Sequence, residues 1–204
     1  MKQRVMVIVA SVACLMGGWW ALSTGRIGHG GHRHHTMGPY TLYTGTRRAL
    51  KVSLEYPGKW MLQEEQGKME FYQGVRMLGP RNADDTYAAY VSVRGFPLRA
   101  FGGSYEDLHA LVEHYKIHAP RDSRIVSESP RKVAGAAGRD LTFSFTIPPL
   151  HHKGIKALAI PVKERKVFVE HSPYLYELTY SADSREYDRY AEAFEHLLKT
   201  LRLK

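Results

Sequence analysis

Leu141, Phe143, Phe145 and Ile147 alternate with Thr142, Ser144 and Thr146. A period of two places the four apolar side chains on one face of a strand and the three hydroxyls on the other. A strand with one apolar face needs neighbours in a sheet and a second layer to cover that face, so this segment constrains the fold more than any other. The chain supplies the neighbours. Val52, Leu54 and Tyr56 alternate with Ser53 and Glu55, and Tyr56-Pro57-Gly58-Lys59 then predicts a type II turn, with glycine at the position of positive φ, reversing into a strand at 60–65. Further strands are predicted at 68–78 and 87–96. Another is expected at 123–133, joined to the Leu141 segment by a hairpin at Gly135-Ala136-Ala137-Gly138. Residues 155–170 form a long apolar stretch that Lys163-Glu164-Arg165-Lys166 breaks, and His171-Ser172-Pro173 turns it into 174–181.

The covering layer comes from two segments of helical period. Ser104 is the expected cap of the first, with Asp107 three residues on, and Leu108, Leu111, Val112 and Tyr115 follow at helical spacing before Pro120. Asp183 and Glu186 mark the start of the second. Its stripe is Tyr187, Tyr190, Ala191, Phe194, Leu197, Leu198 and Leu201, which must lie against a sheet. Strands before, between and after two helices, joined by short hairpins, predict an α+β domain with a mainly antiparallel sheet. Parallel winding needs more crossover helices than the sequence offers.

Charge is unevenly placed. Residues 1–45 hold Lys2, Arg4, Arg26 and Arg33 and no acid, which leaves 25 basic and 20 acidic residues in 46–204. A domain this mildly basic, without a dense run of Lys and Arg among aromatics, predicts no nucleic-acid partner. A single cysteine in 204 residues excludes an internal disulfide and any zinc site built on two thiolates. The 46–204 domain is long enough to fold on its apolar core alone.

Residues 1–24 read as a targeting segment. Behind Lys2 and Arg4 the eighteen residues Val5 to Leu22 carry no charge, a length that spans a bilayer as a helix, and Trp19-Trp20 suit its interface. Three fates stay open: a retained anchor, cleavage after Ala21-Leu22-Ser23, or lipidation at Cys14 in the lipobox-like Ser11-Val12-Ala13-Cys14. Each predicts an extracytoplasmic domain, membrane-anchored or secreted. Residues 25–45 read as a Gly/His tether. His29, His32, His34 and His35 lie on it, either as a ligand set for zinc, copper or nickel or as part of a solvated spacer.

Three segments of the domain resemble the PsbP family: Leu54-Glu55-Tyr56-Pro57-Gly58-Lys59-Trp60; Ser127 through Gly135 leading on through Arg139-Asp140-Leu141 to Phe145; and Leu175-Tyr176-Glu177-Leu178-Thr179-Tyr180-Ser181-Ala182. They fall in order over roughly 48–204. The resemblance implies an α-β-α sandwich with a central antiparallel sheet. It also implies a non-catalytic accessory role beside a membrane complex. In oxygenic phototrophs that complex is photosystem II, where the family helps the oxygen-evolving centre retain calcium and chloride. Calcium here is implied by the resemblance alone, and the Gly/His tether departs from the plant proteins.

Catalytic motifs are absent from the text: no Gly-x-Ser-x-Gly, no phosphate loop ending in Gly-Lys-Ser/Thr, no His-Glu-x-x-His. The chain therefore reads as a non-enzyme, the alternatives being His-tract metal handling or an enzyme whose residues are scattered in sequence. His114 and His118 have the spacing of a two-His ligand pair, at a helix end where a cationic His is favourable without any metal. His151-His152 and Asp84-Asp85 read as exposed loops.

Overall fold

The computed structural model describes residues 37–66, 72–82, 86–148 and 159–204. Strands run at β1 (Tyr40–Thr44), β2 (Val52–Pro57), β3 (Met61–Gln66), β4 (Gln73–Leu78), β5 (Ala89–Pro97), β6 (Arg124–Val133), β7 (Ala136–Ile147), β8 (Ile160–His171), β9 (Tyr174–Asp183) and β10 (Arg202–Leu203). The helices are α1 (Leu108–Ile117) and α2 (Tyr187–Thr200). Seven strands form one antiparallel sheet in the order β3-β4-β5-β9-β8-β7-β6, and β1-β2-β10 form a small second sheet. The predicted α+β class, with its antiparallel sheet between helical layers, is the observed one.

Period two decides which layer each side chain meets. On β9, Tyr174, Tyr176, Leu178, Tyr180 and Ala182 face one way, where α2 and the inner face of the small sheet complete a large core with Leu50, Val52, Leu54 and Trp60. On the opposite face Leu175 joins Phe96, Leu141, Phe143 and Phe168 beneath Leu111 and Val112 of α1. The alternation at Leu141 and Phe143 is thus the contact of β7 with α1, and Phe145 packs at its margin. The α2 stripe holds as predicted at Tyr187, Tyr190, Phe194, Leu197, Leu198 and Leu201. Ala193 is fully buried, whereas Ala191 lies at the edge of the core.

Several local expectations are corrected. The turn after β2 spans Pro57–Trp60, closed by the Trp60 amide donating to the Pro57 carbonyl at 2.9 Å. Gly58 is not at positive φ, so the turn is not type II. Glycine is needed there for space. A Cβ would run into Thr41 Oγ1 and the Pro39 carbonyl, to which the Gly58 amide donates at 2.8 Å. The strands on either side of this turn belong to different sheets rather than to one hairpin. The strand predicted at 68–78 begins at Gln73 among the described residues. The β6–β7 turn is Ala134-Gly135, with φ of 50° and 84°, the positive pair that a two-residue primed turn requires, and Ala136, Ala137 and Gly138 already belong to β7.

Lys163 to Lys166 do not break the apolar stretch: β8 runs through them, pairing with β7 and β9. At α1 the cap is Asp107, three residues after Ser104, and its side chain accepts from the Ala110 amide at 2.7 Å, so the helix starts at Leu108. A carboxylate acceptor at that position satisfies an otherwise orphan amide. Asp183 does not cap α2 either; it binds the amide and guanidinium of Arg185.

The tether expected through residue 45 gives way earlier, because β1 pairs along its whole length with β2, from Tyr40 opposite Pro57 to Thr44 opposite Ser53, and buries Tyr43. Residues 1–36, including the targeting segment, lie outside the described residues. Among the described residues no helix is long and apolar enough to cross a membrane.

Candidate functional site

The α1 face of the large sheet carries a polar centre that its apolar strands do not announce. β9 turns Glu177, Thr179 and Ser181 to this face, all buried. In register, Arg94 of β5 lies opposite Glu177, and Lys166 of β8 lies opposite Thr179. Pairing across the central strands therefore brings two cations to one carboxylate.

Glu177 is fully buried, and its two oxygens are used differently. Oε1 accepts from Lys166 Nζ at 2.6 Å and from the Thr179 hydroxyl at 2.8 Å. Oε2 accepts from the Tyr115 hydroxyl and lies 3.9 Å from Arg94 Nη1. Tyr115 comes from α1, so this carboxylate also ties the helix to the sheet. Lys166 is held further by Glu164 at 3.3 Å, and Glu164 accepts from the Tyr90 hydroxyl at 3.2 Å. Toward the β3 edge, Glu65 bridges Arg94 at 3.1 Å and Arg76 at 2.5 Å. Each cation also lies over a ring: Lys166 on Tyr115, Arg94 on Tyr72 and Arg76 on Tyr90, at 4.8, 5.1 and 5.2 Å.

Among the described residues three cations thus face three carboxylates, and their charges balance. Burial works against the Glu177 charge, but Lys166 and Arg94 outweigh it and bring its carboxyl down to about 2. For Lys166 burial likewise opposes the charge, and Glu164 and Glu177 raise the ammonium above its usual range. Burial and Glu177 together push the Tyr115 phenol well up. At neutral pH these shifts favour the charged forms of Glu177 and Lys166 and the hydroxyl form of Tyr115.

A second ionic cluster lies on the opposite face, under α2. Arg165 reaches Asp140 at 2.6 Å and Glu195 at 2.6 Å, and Arg131 reaches the same two carboxylates at 3.0 and 2.9 Å. Two forks between two carboxylates fasten α2 to β6, β7 and β8. A cavity of about 420 Å³ opens at one end of the sheet, lined in part by Asn82, Tyr87, Ile160, Val162 and Asp183.

His114 and His118 do come together. Their rings stack with centroids 4.2 Å apart, and His118 Nδ1 is 2.8 Å from the His114 carbonyl oxygen, a bond that fixes its tautomer with Nδ1 as donor. Among the described residues no cluster of three His, Cys, Asp or Glu could hold a metal ion. His29, His32, His34, His35, His151, His152, Asp84 and Asp85 all lie outside the described residues. Burial, then the neighbouring His118, lowers the His114 pKa below its ordinary value of 6.5, against a raising effect of Glu177. The unfolded chain therefore takes up this proton first, and stability is full above pH 6.5 and declines as pH falls toward the folded value. Urea midpoints at pH 7 and pH 5 should separate more for the native chain than for His114→Gln. Equal separations would mean that the His114 ring is solvated.

Sequence reasoning missed Lys166, Glu164 and Arg94. The signal was present in Glu177, Thr179 and Ser181, polar residues two apart inside a strand whose intervening members Leu178 and Tyr180 belong to the opposite face. What the text lacks is which cation a folded sheet would place opposite them.

No family model matches this chain, and no curated protein matches it by sequence. Solved structures do match in shape. Cyanobacterial PsbP from Synechocystis sp. PCC 6803 superposes with a TM-score of 0.54 at 12% identity, over 86% of this chain and 99% of that one. LpqN of Mycobacterium tuberculosis, described as involved in cell envelope biogenesis, superposes at 0.51 with 12% identity, over 80% of this chain and 90% of that one. The likeness is one of fold, and the resemblance read from the sequence holds at that level.

Proposed function

We propose that this chain is a non-catalytic accessory domain on the outer side of a membrane, where it assists a membrane-associated complex. The observation that carries the reading is the polar centre itself: every charge buried there meets an opposite charge of the same protein, as in a rigid scaffold. Catalytic carboxylates and lysines generally need perturbation toward neutrality, and Glu177 and Lys166 are shifted the other way. The outer-side placement is supported by the uncharged run Val5 to Leu22 behind Lys2 and Arg4. A fold shared with cyanobacterial PsbP and with an envelope-biogenesis protein fits the same reading. Photosystem association and calcium retention belong to photosynthetic relatives, and the reading does not depend on them.

Alkaline phosphatase fused after Lys204 should be active in intact cells, and the native chain should migrate in a large assembly when membranes are gently solubilised. An inactive fusion, or migration only as a monomer, would sink the proposal.

A further inference from the structure

The small sheet has an inner face built into the core and an outer face over which no layer of the described residues lies. Val52, Leu54 and Leu203 point inward, so by alternation Lys51, Ser53, Arg202 and Lys204 point outward, with Leu42 and Thr44 of β1 beside them. Arg202 lies opposite Ser53 and Leu203 opposite Val52, and the next pair in register is Lys204 with Lys51, whose backbones bond at 2.9 Å. Two lysines directly opposite on neighbouring strands repel. No carboxylate among the described residues forms a salt bridge with Lys51, Arg202 or Lys204, all of which are exposed. Arg202 instead donates to the Lys199 and Leu201 carbonyls at the end of α2. In the same outer row Leu42 is 65% exposed. Glu55, directly opposite Leu42 in register, is the carboxylate of this face, and it is engaged by His196 at 2.7 Å, with Tyr40 stacked on that imidazole.

We propose that this outer face, Leu42 with Lys51, Arg202 and Lys204, rests on an anionic membrane surface. Exposed cations without a salt-bridging carboxylate, Arg202 diagonal to Leu42 across β2 and the pair Lys51 and Lys204 beyond it, share a face with an exposed aliphatic side chain. That combination matches a headgroup layer, where the charges meet lipid phosphates and the Leu side chain enters the acyl boundary. Covalent connection favours the same occupant. The chain enters this sheet at β1, and fourteen residues separate Leu22 from Met37. Such a segment reaches at most about 50 Å even when fully extended. A domain held that close to a bilayer meets the surface with whichever face attracts it, and this face carries the complementary charge. A nucleic acid is the poorer match, since the aromatic ring in the row, Tyr40, is already stacked.

The inference rests on the membrane-side placement proposed above, and the experiment separates the two. The full chain carrying Cys14→Ser and Leu42→Cys is labelled with an environment-sensitive dye. It is then reconstituted into vesicles of two parts phosphatidylcholine to one part phosphatidylglycerol that contain a headgroup-nitroxide lipid. Quenching of the Leu42→Cys label is expected at low salt. It should fall in 1 M salt, where the screening length shrinks to about 3 Å, and disappear in pure phosphatidylcholine. Lys51→Glu with Lys204→Glu should abolish it; the milder Lys51→Gln with Lys204→Gln should weaken it in proportion and serves if the reversal fails to fold. A label at Ile117→Cys, exposed at the end of α1 on the other side of the large sheet, should stay unquenched throughout.

If the chain floats with vesicles but the Leu42→Cys label is dark to the quencher, or both labels respond alike, the face is assigned wrongly while anchoring stands. If the chain does not float at all, the membrane placement fails and this inference fails with it. Shielding of the Leu42→Cys label by a single-stranded polynucleotide, and not by vesicles, would overturn the lipid assignment.

Discussion

Glu177→Ala is expected to lower the unfolding free energy of the chain by about 3–5 kcal/mol, because it leaves Lys166 and Arg94 charged and buried without the carboxylate they share. The Tyr115 hydroxyl loses its acceptor in the same step, so α1 loses its polar tie to β9. Removing the opposing charge as well should recover part of the loss. Glu177→Leu combined with Lys166→Met should therefore cost less than the sum of the single changes, the coupling expected of groups in direct contact. The effect has a pH signature whose sign is fixed. The folded carboxyl titrates at about 2 against an ordinary 4.5, so its contribution is complete above pH 4.5 and is lost as pH falls through the window down to about 2. The gap between native and Glu177→Ala midpoints should narrow over that range. Near-native stability of Glu177→Ala at pH 7 would mean that water reaches the centre and screens its charges.

Phe194→Ala and Phe143→Ala are each expected to cost about 3–5 kcal/mol, the range for emptying a large ring from a packed core. Phe194 is fully buried in the core beneath α2, where its ring stacks near Tyr180 at 5.8 Å; Phe143 is buried under α1 on the other face of the sheet. The two rings belong to clusters that share no residue. Their costs should accordingly add to within about 0.5 kcal/mol in the double variant, as read by denaturant midpoints at unchanged slope. A large departure from additivity would mean that the sheet does not separate two cores.

The histidine pair and the tether show how function was less legible than fold. His114 and His118 were visible as a spacing, and the folded chain does bring them into contact, yet ring stacking and the His118 bond to the helix carbonyl account for their arrangement without a ligand. The four tether histidines and the targeting run were visible only as composition. They lie outside the described residues, so the outer-side placement and the metal reading rest on sequence chemistry.

The sequence by itself determined the class of the fold. Period two in the Leu141 segment and period 3.6 from Tyr187 to Leu201 are local signals, since burial of one face imposes them residue by residue. Hence both helices, the strands of the large sheet, the antiparallel preference and the α2 face were readable. The tertiary structure alone decided what depends on partners distant in the chain. Lys163 to Lys166 looked like a break because four consecutive charges disfavour burial, but alternation sends Glu164 and Lys166 to the α1 face and Arg165 to Asp140 and Glu195 on the other, where each is neutralised. Gly58 looked like a turn glycine, and only the approach of β1, with Thr41 and Pro39 against it, explains its missing side chain. Residues 40–44 looked like part of a tether because Tyr-Thr-Leu-Tyr-Thr is too short to carry a clear pattern of its own. Backbone hydrogen bonds to β2, together with burial of Tyr43, make them a strand, and those partners lie outside any window of sequence that contains them.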